Sequence, residues 1–517
     1  MRYSGVRPVT GALALDGTTL SLAEFLEIAR GGRSVSVALD ARERVAASRA
    51  AVERAVASGR AVYGVTTGFG GLSHRAIPPE KLHELQVSLV RSHASGTGPA
   101  LPEDVVRGLM LLRLNSLVRG RSGVRPEVVD LLVEFLNRGL RPWIPEQGSV
   151  GASGDLAPLA HLALAMIGEG TFVDAASGAA VPAHELLRRQ ELAPLRLVEK
   201  EGVAILNGTA LMASYLALAV ADLRGLLDAA TVAIALSYDA LEGNPESLDD
   251  RLGEVRNSPE QQEVGRSLRD LIAGSNLAVR RQAWTGQDPY TLRCVPQVLA
   301  AVRLAVGFAE GIVARELNAV TDNPIVFDHD TFVSGGNFHG QPLALALDTL
   351  AIAGQYVAAF SERRTSRILH PALNRGLPAF LAPDPGVSSG FMIPQYLAAA
   401  LVNENATLVY PASAGSVPTS ADQEDFVSMG PWAGAKLRRL LANARTVVAV
   451  EWIVAGQALE LRHPKSGGRG SEAALRALRR RVPAWTADRS PAADIERVAA
   501  LLADGTLVRE VRADVPF

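Results

Sequence analysis

Apolar residues recur at three- and four-residue spacing over 40–59 and 103–119. The same helical period runs through 209–238, 290–319, 339–369 and 421–462, long enough to predict a central helical bundle. Strand-like pieces near Thr171–Val181 and Ile325–Val333 carry turn residues between them. Residues 11–21 predict a further hairpin, with Asp16-Gly17 as the turn between apolar runs. Glycine and proline gather at 140–154 and 375–390, and Pro371 and Pro378 reinforce the second break. After residue 463, Pro464-Lys-Ser-Gly-Gly-Arg-Gly470 reads as a loop into a last helical piece. The chain is therefore expected to be mainly α. Residues 1–208 form a smaller N-terminal α part with short β hairpins, 209–463 the long central helical bundle, and 464–517 a small C-terminal helical segment.

Composition narrows the function classes. The 517 residues are 48% hydrophobic and carry a formal net charge of −2, with no basic run interleaved with aromatics. That balance argues against a nucleic-acid surface and for small molecules or further copies of the chain as partners. The only cysteine is Cys294, so no internal disulfide is possible, which agrees with a reducing, cytoplasmic setting. Met1–Pro8 lacks the apolar core of a secretion signal. The most apolar long run, Ala210–Leu241, has Asp222, Arg224 and Asp228 at its middle, which predicts a buried bundle helix and no membrane span. No His-Glu-x-x-His pattern or cysteine pair suggests a metal site.

One segment carries chemistry of its own. In Gly148-Ser-Val-Gly-Ala-Ser-Gly-Asp-Leu-Ala-Pro-Leu-Ala-His161, the tripeptide Ala152-Ser153-Gly154 can react with itself. The Gly154 nitrogen, with no β-carbon beside it, can attack the Ala152 carbonyl and close a five-membered ring. Loss of water, including the Ser153 hydroxyl, leaves an electron-poor methylidene. The apolar run after Asp155 predicts a helix whose positive end would sharpen that electrophile.

Around it, Gly148–Gly170 resembles the self-processing segment of the aromatic amino acid ammonia-lyases and aminomutases. Further blocks resemble the same family in order: Tyr63-Gly-Val-Thr-Thr-Gly-Phe-Gly70, Glu201-Gly-Val-Ala-Ile-Leu-Asn-Gly-Thr209, Gln287-Asp-Pro-Tyr-Thr-Leu-Arg-Cys294, Thr321-Asp-Asn-Pro324, Ser334-Gly-Gly-Asn-Phe-His-Gly340 and Pro418-Thr-Ser-Ala-Asp-Gln-Glu-Asp425. The resemblance runs to about residue 463 and is strongest to the histidine-specific subfamily. It implies the ammonia-lyase/fumarase-like fold and a 4-methylidene-imidazol-5-one formed autocatalytically from Ala152-Ser153-Gly154, with no metal or external cofactor. It also implies a homotetramer whose active sites are shared between subunits. The implied reaction is ammonia elimination from an aromatic L-amino acid, with L-histidine to trans-urocanate the leading case. Related outcomes are a 2,3-aminomutase, a tyrosine or phenylalanine ammonia-lyase, and, remotely, a non-catalytic helical homologue.

Elimination needs an electrophile to capture the amine and a base over the β-carbon. The resemblance gives the second task to Tyr63, which precedes a Gly-rich loop, Gly64–Gly71, suited to act as a lid. A phenol titrates near pH 10, about three units too high, so positive helix ends nearby would help it act as a base. In Gln287–Arg293, Asp288 predicts an N-cap and Pro289 a first helical position, so Tyr290 and Arg293 share a face. The family places Gln287 and Tyr290 around the ring and substrate and Arg293, a fork of donors, on the substrate carboxylate. Asn207 is implied to hold the substrate amine side and the ring oxygen, and Phe338 to wall the pocket.

Leu82, Leu85, Leu89 and His93 fall on one helical stripe, predicting a buried His93. The Ser92-His93 pair resembles the histidine-specific form. Ser420 and Gln423 predict a capping box, with Glu424 in the first turn of the long helix. In the family Glu424 would accept from the substrate imidazole. Several positions depart from the pattern. Histidine enzymes usually have histidine where this chain has Tyr410 and Phe426, and aspartate where Gly415 stands, which opens the choice of aromatic substrate and of β-amino acid product. Gly71 stands where one tyrosine aminomutase subgroup has glutamate, which disfavours the mutase outcome.

Overall fold

A computed structural model describes residues 11–72, 75–279, 286–327 and 331–517. The opening Met1–Pro8 segment lies outside the described residues. Three long helices form the centre: Ala210–Ala240, Gln341–Leu369 and Gly430–Glu460, packed on one another and flanked by Glu103–Val118, Val295–Glu316 and Met392–Leu408. The main core is one apolar cluster running from Leu15 to Val511, and a small second cluster joins Ala51, Val52, Ala55, Val62, Val65 and Val326. A buried carboxylate ties the three central helices. Glu451 accepts from Arg364 Nε at 2.5 Å and Nη2 at 2.8 Å, and from Ser237 Oγ at 2.7 Å. Such a pair contributes registry, and removing one partner would cost about 3–5 kcal/mol.

The mainly α expectation holds, with the long helices at Ala210–Ala240 and Gln341–Leu369 close to their predicted bounds. Ala210–Ala240, Val295–Glu316 and Gln341–Leu369 are all long and apolar enough to cross a membrane; within the fold the most apolar window of the first is 78% buried. Its charges meet partners at the helix edge: Asp222 pairs with Arg30 at 2.9 Å and Asp228 with Arg512 at 2.8 Å.

Four expectations are corrected. Residues 11–21 form no hairpin: Leu13–Leu15 pairs in parallel with Val35–Val37. The reason is a capping box, Ser21 with Glu24, which starts helix Leu22–Ala29 at once, while Asp16 takes Thr18 and Thr19 amides in a local turn. The 290–319 helix is broken into Tyr290–Arg293 and Val295–Glu316, because Pro296 in the second piece cannot donate to a preceding turn. Asp288 is not an N-cap; Pro289 is, and Asp288 Oδ2 accepts from the Asn244 amide at 2.6 Å and Oδ1 from Arg375 at 2.9 Å. The helix predicted from 421 begins at Gly430. Ser420, Ala421 and Asp422 instead form a left-handed turn, φ 54, 53 and 63°, so the predicted capping box is absent and Glu424 pairs with Thr419 in an isolated bridge. Three non-glycine residues in that region store strain of about 1–2 kcal/mol each.

Candidate active site

The self-processing segment sits where three helix N-termini meet. Helix Ala157–Met166 follows it directly, with Pro158 in its first turn. The Leu211 amide at the start of Ala210–Ala240 donates to Asp155 Oδ2 at 2.5 Å. Met429, which caps Gly430–Glu460, donates its amide to the Val150 carbonyl at 2.9 Å. The partial positive charge of three helix ends is thus gathered around residues 150–155.

Between them the chain turns tightly. Gly151, Ser153, Gly154 and Leu156 have φ of 77, 50, 81 and 29°. Gly154 lies against Gly208, whose carbonyl accepts from the Asp155 amide at 2.7 Å, and a β-carbon at 154 would stand 2.1 Å from that carbonyl oxygen. Only glycine is possible there. Asn207 ends helix Glu201–Leu206 and donates its Nδ2 to the Ser153 carbonyl at 3.0 Å; its Oδ1 is buried and without a hydrogen-bond partner. The Ser153 hydroxyl donates to Glu424 Oε1 at 2.9 Å, and Thr419 donates to Glu424 Oε2 at 2.9 Å.

Two cavities, of about 440 and 500 Å³, share a wall of Tyr63, Gly70, Ser153, Val203, Asn207 and Glu424. The first adds Leu89, His93 and Ser420; the second adds Ala152, Phe338, His339 and Phe426. Both lie within the size range of small-molecule sites. Tyr63 Oη accepts from the Gly70 amide at 3.2 Å, and its ring meets Phe69 edge-on at 6.3 Å. Gly71 donates to Ser420 Oγ at 3.4 Å, so the Gly-rich loop rests on the left-handed turn.

Tyr63, His93, Ala152, Ser153, Asn207, Phe338 and Glu424 are therefore brought together, with Gly154 beneath them. His93 is half-buried at the end of helix Leu82–His93, facing the cavity and not the core. Burial lowers its imidazole pKa, while the Leu89 carbonyl and the Glu424 carboxylate act in the opposite sense. Gln287, Tyr290 and Arg293 do not join this group. Gln287 is exposed, Tyr290 is 66% exposed, and Arg293 lies over the Tyr290 ring at 4.5 Å with its Nε donating to the Asp288 carbonyl. Tyr410 is also outside: it lines none of these cavities, is 79% exposed, and its carbonyl accepts from Lys436. Phe426 does reach the second cavity and stacks on His339, centroids 6.1 Å apart.

Sequence reading missed the support beneath. Arg113, fully buried, donates to the Asn207 carbonyl at 2.5 Å. Its signal was a lone charge within Met110-Leu-Leu-Arg113-Leu, which needs a buried acceptor. Asp155 is fully buried, and desolvation pushes its carboxyl up to about 8. Lys200 and Asp322 form a buried pair at 2.7 Å that anchors the start of helix Glu201–Leu206.

A family model described as aromatic amino acid lyase matches residues 20–480. The chain belongs to the aromatic amino acid lyase family. Within that family, a histidine ammonia-lyase of Anaeromyxobacter sp. (strain K) is 48% identical over 505 residues, covering 96% of this chain and 99% of the relative. The solved histidine ammonia-lyase from Trypanosoma cruzi is similar at TM-score 0.90 and 38% identity, over 98% of this chain and 96% of that one. A tyrosine aminomutase from Streptomyces globisporus matches at TM-score 0.93 and 35% identity, over 98% and 99%. The lyase-family fold alone thus spans eliminating and rearranging enzymes.

Proposed function

We propose that this carbon–nitrogen lyase removes ammonia from L-histidine to give trans-urocanate. One observation carries the reading: Ser153 is held between Asn207 and Glu424 in a cavity walled by Tyr63 and His93, in a chain 48% identical to a histidine ammonia-lyase. The residues fit a ring made from Ala152, Ser153 and Gly154. Gly154 has no room for a side chain, Asn207 already donates to the Ser153 carbonyl that becomes the ring oxygen, and three helix ends face the segment. When formed, the 4-methylidene-imidazol-5-one supplies an electrophile that captures the substrate amine and makes it a leaving group.

The chain's own residues do the rest. The unpartnered Asn207 Oδ1 accepts from the substrate amine. Tyr63, whose Oη already accepts from the Gly70 amide in the cavity wall, takes the β-proton. His93 and Glu424 hold the substrate ring, Phe338 walls it, and the Gly64–Gly71 loop excludes water.

Arg293 binds the substrate carboxylate, with Gln287 and Tyr290 beside it, in the cavity of a neighbouring copy. That assignment requires at least two copies, and the family resemblance implies a homotetramer with shared sites. Exposed Leu304 and Phe308 on Val295–Glu316, Leu345 and Tyr356 on Gln341–Leu369, and Ile393 and Tyr396 on Met392–Leu408 supply apolar surface for it. The cytoplasm is its setting. Intact mass gives the first test: the mature chain should be lighter by two waters, and an unprocessed mass would sink the reading. A second reading, aminomutase action, is favoured by Phe426 stacked on His339 where histidine enzymes usually carry histidine. A β-amino acid among the products would select it.

A further inference from the structure

Two contacts at the end of helix Leu82–His93 bear on one ring proton. The Ser92 hydroxyl donates to the Leu89 carbonyl at 3.1 Å, and the same oxygen lies 3.0 Å from His93 Nδ1. A hydroxyl has a single hydrogen, and a carbonyl only accepts. In the arrangement where that hydrogen goes to Leu89, Ser92 meets Nδ1 as an acceptor and Nδ1 carries the proton. Burial is the larger influence on this imidazole and favours its neutral form, while the Leu89 carbonyl acts on it as a hydrogen-bond acceptor. A neutral ring protonated at Nδ1 has a bare Nε2.

His93 shares its cavity with two other ionisable groups, Glu424 from the 419–424 turn and Tyr63 just before the Gly-rich loop. Glu424 Oε1 accepts from Ser153 until that hydroxyl is eliminated, and is then free to accept again. The wall then offers two acceptors, His93 Nε2 and Glu424. Acceptors desolvated by a ring with no donor would be left unsatisfied.

We propose that Ser92 is a positioning residue: by holding His93 as the Nδ1–H tautomer it turns an Nε2 lone pair to the cavity. The site then selects substrate rings that bear a donor, an imidazole N–H or phenol O–H, over a plain phenyl ring. This rests on the assignment of His93 to the substrate side chain.

The test combines a spectrum and kinetics on the full chain. Histidine-ring ¹⁵N solid-state NMR, with His93 assigned by its loss in His93→Gln, should show protonated Nδ1 and bare Nε2. Ser92→Ala should scramble that preference and Ser92→Thr should keep it. In parallel, Ser92→Ala should raise KM for L-histidine about tenfold, the loss of one aligned hydrogen bond, with the effect falling on KM and not kcat. Ser92→Thr should restore it, and the inhibition constant of L-phenylalanine should stay unchanged. A proton on Nε2 in the wild type, or unaltered discrimination in Ser92→Ala, would overturn the proposal. Nδ1–H without urocanate formation would support the tautomer and overturn the histidine reading instead.

Discussion

The Ser153 region and the Gln287–Arg293 region carry the same family resemblance and are built in opposite ways. Around Ser153, bonds arrive from the 207–211 stretch, through Asn207, Gly208 and Leu211, and from Glu424, both distant from it in sequence, and the supporting Asp155 and Arg113 are fully buried. Around Arg293, the contacts to Tyr290 and Asp288 are local, and Tyr290 faces outward. The first region is completed by the folding of one chain. The second keeps Tyr290 exposed, and none of Gln287, Tyr290 and Arg293 lines the two cavities around Ser153, as the proposed sharing of the site between copies requires.

Breaking each half separately gives the largest effects. Ser153→Ala should abolish the two-water mass loss and lower turnover by about three orders of magnitude or more. Arg293→Ala should leave mass loss and thermal stability near wild type while kcat/KM falls about a hundredfold, as expected for a lost charge-assisted pair. Co-expressing the two inactive chains should restore a measurable share of activity, because mixed assemblies contain sites with both halves intact. No recovery would mean that the two residues do not serve one shared site.

Within the Ser153 half, Tyr63→Phe should keep the mature mass but stop β-proton exchange with deuterated solvent; exchange at the wild-type rate would remove Tyr63 as the base. Glu424→Gln should cost histidine turnover about tenfold more than phenylalanine turnover, and equal losses would argue against ring recognition there.

The smallest effect concerns the support. Burial raises the Asp155 carboxyl to about 8 in the fold, against an ordinary value near 3.8, so the folded protein holds a proton that the unfolded chain releases. Stability from this group is greatest below about pH 4 and declines as pH rises through the window to about 8. Asp155→Asn should flatten that slope in urea midpoints measured across the window; an unchanged slope would locate the pH dependence elsewhere.

Much of this was legible in the chain. The long apolar periods marked the central helices because tertiary packing and helical pattern agree there, and the tripeptide with its flanking blocks pointed to the site. Tyr290 and Arg293 were rightly placed on one face, as their stacking at 4.5 Å shows, but spacing says nothing of what lies opposite a face. The failures were local competitions. Asp16-Gly17 looked like a hairpin turn, and the Ser21–Glu24 box two turns later decided the path. Ser420-Ala-Asp422 has no glycine to announce a left-handed turn, and packing against Gly70 and Gly71 accompanies it there. Arg113 was hidden because its partner is a backbone carbonyl 94 residues away.

The most direct measurement offers the purified, full-length protein L-histidine and resolves every product by chromatography alongside ammonia release. The account predicts urocanate and ammonia in equal amounts, with no β-amino acid and far weaker action on tyrosine and phenylalanine. A β-amino acid as the main product, or turnover of tyrosine or phenylalanine with histidine untouched, would contradict it.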